Sequence, residues 1–65
     1  MAEWTMEEVL RLALRHETHN FAEYTKASKE MQSPAIRAMF KFLADEEENH
    51  INLIRDKMAE FNVKE

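Results

Sequence analysis

The sequence predicts an all-α fold, an antiparallel two-helix hairpin that pairs with a second copy of itself into a four-helix bundle. Three observations predict it. The 65 residues contain no glycine and one proline, Pro34, while Ala, Leu, Glu, Lys, Met and Arg dominate. That composition suits helices and lacks the turn residues that strands require. Apolar residues recur at steps of three and four on both sides of Pro34, the helical period. A chain this short buries only about 60% of the surface its unfolded form exposes, so it needs disulfides, a metal or a partner. The sequence has no cysteine, which removes disulfides, thiolate zinc sites and Fe–S clusters and leaves His and carboxylate ligands or oligomerisation.

The whole chain, 1–65, is expected to form one unit, with helices over 5–32 and 33–61. Thr5 and Glu8 form a capping box at the first helix start, and Trp4 and Val9 take the positions of a hydrophobic staple. From there Val9, Leu10, Ala13, Leu14, Phe21, Tyr24, Ala27 and Met31 mark one face. Pro34 disfavours helical geometry in the residue before it, so the first helix stops near Met31 or Gln32. Ser33 then reads as the N-cap of the second helix and Pro34 as its first residue. The second apolar face runs from Ile36, Met39, Phe40 and Leu43 to Ile51, Leu53, Ile54, Met58 and Phe61. Asn62 to Glu65 are polar enough to fray. Two helices of roughly 27 residues, about 40 Å each at 1.5 Å per residue, joined by so short a turn must run antiparallel. Such a hairpin leaves part of each stripe uncovered, and a second copy is the simplest cover.

The net charge is −4, from 13 acidic and 9 basic residues. An acidic chain without a basic stripe is not built for nucleic acid or anionic membranes. Its apolar runs are too short to span a bilayer, and no charged-then-apolar leader opens it, so a cytoplasmic location is expected.

Polar residues interrupt the apolar stripes in a few places. Glu17 falls among Leu10, Leu14, Phe21 and Tyr24; Glu47 and His50 fall among Phe40, Leu43 and Ile54. A charged carboxylate in a core costs several kcal/mol unless paired or metal-bound. Counted from the turn at Ser33, Glu17 lies roughly 24 Å away, Glu47 roughly 21 Å and His50 about 26 Å. The three therefore meet at one level. A two-fold axis turns one Glu and one Glu-x-x-His into four Glu and two His, the ligand set of di-iron carboxylate bundles. Carboxylates can bridge two irons, while imidazole suits Fe(II), and Mn or Zn tolerate the same donors.

Glu17 with Tyr24 seven residues on, and the run Asp45-Glu46-Glu47-Glu48-Asn49-His50, resemble a ferritin-like half-bundle over nearly the whole chain. The 30-residue separation of Glu17 and Glu47 resembles the encapsulated ferritins most, with rubrerythrins next. The resemblance implies that Glu47 bridges two irons, Glu17 is a bridging or terminal ligand and His50 a terminal one. It places Tyr24 near the site, hydrogen-bonded to a ligand or supplying an electron. It implies a ferroxidase-like activity, oxidation of Fe(II) by oxygen or peroxide at a homodimer interface, and as a further partner an encapsulin-type shell, whose nanocompartment would then be the location. The sequence departs from that group where His16 and His19 flank Glu17 in place of acidic metal-entry residues, and the group's extra C-terminal helix and shell-targeting tail are not expected here. Without cysteine, rubrerythrin-type electron delivery needs a separate protein.

Two other readings stay open on the same residues. One is a metal-free helical interaction module whose acidic core residues pair across the interface; the other is a rubrerythrin-like di-metal peroxidase. His16 and His19 face outward or toward a subunit contact, Asp45, Glu46 and Glu48 form a solvated acidic face, and the methionines fill gaps in the core.

Overall fold

A computed structural model describes residues 3–65; Met1 and Ala2, the start of the expected 1–65 unit, lie outside the described residues. Two helices, α1 (Met6–Glu30) and α2 (Pro34–Glu60), form a hairpin, and no strand occurs among the described residues. The capping box closes as expected: the Glu8 backbone N–H donates to Thr5 Oγ1 and the Thr5 N–H donates to Glu8 Oε1, both at 3.1 Å. The Thr5 backbone N–H, and after it the Thr5 hydroxyl, hold the Glu8 carboxylate pKa below the ordinary glutamate range.

The turn satisfies its own backbone. Met31 is extended and closes α1 by donating its N–H to the Ala27 carbonyl. The Arg37 guanidinium donates to the Met31 and Gln32 carbonyls at 2.8 and 2.9 Å, placing a cation on the negative end of the α1 dipole. Ser33 Oγ accepts from the Ile36 N–H at the start of α2.

The last residues do not fray. Asn62 adopts φ 58°, the left-handed conformation that Asn tolerates better than most residues. The Asn62 N–H then donates to the Ala59 carbonyl and the Val63 N–H to the Met58 carbonyl, a Schellman closure. It folds Val63 into the core beside Leu14, Ile51 and Met58. Arg11 Nε donates to the Lys64 carbonyl at 2.9 Å and Arg55 Nε pairs with Glu65 Oε2 at 3.0 Å. The expectation of a frayed end weighed the polarity of this stretch and missed the single valine that a left-handed Asn turns inward.

The hairpin is one helix thick. Its extents are 44 × 27 × 13 Å, and a helix with side chains measures about 10–12 Å across. The radius of gyration is 14.5 Å, against about 11 Å for a compact chain of this length. The surface, 5105 Å², exceeds the about 4,400 Å² expected of a folded monomer of this mass. Stable domains are built of at least two packed layers, and this chain supplies one.

Candidate metal centre

Near the middle of that layer Glu17, Glu47 and His50 converge, each offering a ligand atom within 4.8 Å of the others. Periodicity places them: Glu17 follows Leu10 and Leu14 on the inner stripe of α1, and Glu47 lies between Ala44 and Ile51, both buried. His50, one turn beyond Glu47, is half exposed and faces both carboxylates.

His50 Nδ1 stands 3.5 Å from Glu17 Oε2 and 3.7 Å from Glu47 Oε1, beyond a good hydrogen bond. The Glu47 side chain is 13% exposed, Glu17 27% and His50 51%. One oxygen of each carboxylate, Glu17 Oε2 and Glu47 Oε2, is buried without a hydrogen-bond partner. Leaving such an atom unsatisfied costs about 1–3 kcal/mol, more for a charged group. Hard oxygen donors with one imidazole suit Fe, Mn or Zn, and a cation would satisfy both orphaned oxygens at once. The residues present therefore fit a metal.

The hairpin has a front and a back. His50 lies on the front, whereas Arg55, which holds the C-terminal tail, points about 140° away around α2. The tail covers the open end of the back through Arg11 and Arg55. The front bears exposed Val9, Met31, Met39 and Phe61, so the ligand set opens onto an apolar face that none of the described residues covers.

Tyr24 lies on the Glu17 stripe two turns later, about 10.5 Å along the axis. Its ring packs against Phe40, centroids 5.9 Å apart and planes tilted by 33°. His16 and His19 are exposed and stand outside the converging set. Asn20, half-buried one turn past Glu17, was not singled out by the stripe pattern; its signal is a polar residue on the inner face three positions from a ligand candidate.

An all-helical hairpin carrying a Glu and a Glu-x-x-His at one level fits the ferritin-like class. The sequence matches the rubrerythrin family over residues 8–65, and the chain belongs to that family. No curated protein and no solved structure matches it.

Proposed function

We propose that this chain is a ferroxidase-like di-iron protein that holds two Fe(II) at a homodimer interface and oxidises them to Fe(III). The observation that carries this reading is the pair of buried, unpartnered carboxylate oxygens beside His50 on an open apolar face of a rubrerythrin-family hairpin. One hairpin offers two carboxylates and one imidazole; two copies offer four and two, enough for two metal ions. Glu47, the more buried, takes the bridging role, with Glu17 bridging or terminal and His50 terminal.

Fe(II) is the substrate. Two Fe(II) release two electrons, which with two protons reduce one oxygen to hydrogen peroxide, or one hydrogen peroxide to two waters. The carboxylates neutralise the charge of the ions, and the apolar residues above and below them limit water. Tyr24, on the Glu17 stripe, takes the role of hydrogen-bonding a ligand or lending an electron. The short Glu17–Glu47 separation favours the encapsulated-ferritin branch and, as a further partner, an encapsulin-type shell.

The family match itself favours a second reading, a di-metal peroxidase. Comparing turnover with hydrogen peroxide and with oxygen separates the two.

Anaerobic Fe(II) titration followed by oxygen exposure tests the proposal, with metal analysis and solution mass measured together. The expected result is one iron per chain in a dimer or larger assembly, with an absorbance rise on oxidation. A folded assembly that takes up no iron would retire the enzyme and leave a helical interaction module.

A further inference from the structure

Two large apolar side chains have no role in the hairpin. Phe42 and Leu53 are each 61% exposed. They stand about 160–180° around α2 from the buried Ala44, Ile51 and Met58, on the outer edge of the molecule and away from α1. Phe42, Glu46, Asn49, Leu53, Asp56 and Glu60 follow one another at steps of four, three, four, three and four residues. Residues so spaced share one helix face, and all six are exposed. This edge stripe holds two large apolar groups, three carboxylates and no cation.

The back of α1 carries a stripe of the opposite character, which the net charge of the chain conceals. Arg11, Arg15, Thr18, Ala22, Thr25 and Lys29 repeat the same steps, with three cations and no carboxylate. The middle three are small, and the surface over them is concave. Two open hollows of about 580 and 560 Å³ adjoin at Thr18 and Ala22, one lined also by Phe21 and the other by Leu14. Arg15, Lys26, Lys29 and Arg55 line them against two carboxylates, Glu30 and Glu65, a side-chain charge of +2 in a chain of −4. Arg15, Lys26 and Lys29 form no ion pair among the described residues, and neither do Glu46 and Asp56 on the edge stripe.

We infer that the outer α2 edge of one copy docks in the α1 hollow of another, a contact that uses none of the ligand candidates and leaves the front face free. The steps read the same in both directions, so the stripes mate with the helices parallel or antiparallel. Leu53 enters the hollow at Ala22 in the first case and at Thr18 in the second, a large group on a small one. Glu46 then meets Arg15 and Glu60 meets Lys29, or Asp56 meets Arg15 and Glu60 meets Arg11. Lys57 holds Glu60 at 3.0 Å within one hairpin, and an exposed pair of that kind exchanges partners at little cost. Neither stripe can dock on its own copy, which would set three cations against three or three carboxylates against three. The contact is therefore heterologous. Each copy keeps a free edge or a free hollow, so the contact repeats into a ring or a filament.

Sedimentation velocity of the full chain tests this at concentrations up to about 1 mM, which captures contacts as weak as a Kd of that order. The expected result is an assembly heavier than two chains. It should shrink between about 0.1 and 1 M salt, where the screening length falls from about 10 to 3 Å. Leu53→Arg spoils the edge and Ala22→Arg fills the hollow; both positions are exposed, so helicity by circular dichroism should be retained. Each variant alone is expected to raise the Kd of that association about tenfold or more. Mixed together they should regain it, because the Leu53→Arg copy still offers a hollow and the Ala22→Arg copy still offers an edge. A chain that never exceeds two copies overturns the inference, as does an assembly indifferent to salt or to both substitutions. Variants that lose the association and fail to regain it on mixing would mark a self-complementary contact, which also overturns it.

Discussion

At the open end of the hairpin the loose groups find partners within the chain; at the ligand level they do not. The α2 terminus closes on the Met58 and Ala59 carbonyls, Val63 fills the core, and Arg11 and Arg55 hold the last two residues. About 15 Å away, two carboxylate oxygens are buried with nothing to bond. The first region is built for stability and the second gives stability up. In a chain with only five buried hydrophobic residues among those described, such a concession points to a task for the groups that cause it.

Breaking the stable region gives the largest expected effect. Met58 is the most buried side chain described, and Met58→Ala should cost about 2–5 kcal/mol. Chemical denaturation at fixed protein concentration measures it, because assembly would make the midpoint concentration-dependent.

Relieving the unsatisfied region should have the opposite sign. Glu47→Leu exchanges an orphaned carboxylate for an apolar side chain and should stabilise the metal-free protein by about 1–3 kcal/mol, while the proposed ferroxidase activity should be lost. A variant that loses stability instead would mark Glu47 as a structural partner across an interface. The complementary measurement adds metal to the native chain. Zinc at a hundred times its Kd should stabilise the fold by about 2.7 kcal/mol, and an unchanged melting temperature with every divalent ion would count against a metal centre.

The tail offers a smaller test. Val63→Ala removes two buried carbons and should cost about 1.5 kcal/mol, while Asn62→Ala, forced into left-handed geometry, should cost about 1 kcal/mol. If both are silent, the tail is not part of the core.

The smallest effect is a pH dependence at the α1 cap. The folded Glu8 pKa is lowered, so its contribution is present above the unfolded glutamate pKa and is lost as pH falls through the lower folded value. An NMR titration should place the Glu8 midpoint below those of the exposed glutamates, and Thr5→Ala should return it toward them.

The convergence of the three ligand candidates was legible because they violate a pattern. Glu17, Glu47 and His50 stand out only against the apolar stripes that surround them, and counting residues from Ser33 was enough to bring them to one level. The tail was not legible in the same way, although its signal was present: an Asn just past the helix end, followed by a valine, is a Schellman signature. Counting polar residues hid it, since one buried side chain outweighs three solvated ones.

Local chemistry sets the helices, their caps, the turn and the level of the ligand candidates, because each depends on residues within a turn or two in sequence. How far each ligand is buried, which carboxylate oxygens are left without partners, and which face the tail closes all depend on groups distant in sequence, and packing alone settles them. Leu14 and Val63, 49 residues apart, share one core because the hairpin returns the chain to its start. The same closure covers the back at the open end and leaves the ligand set on the front.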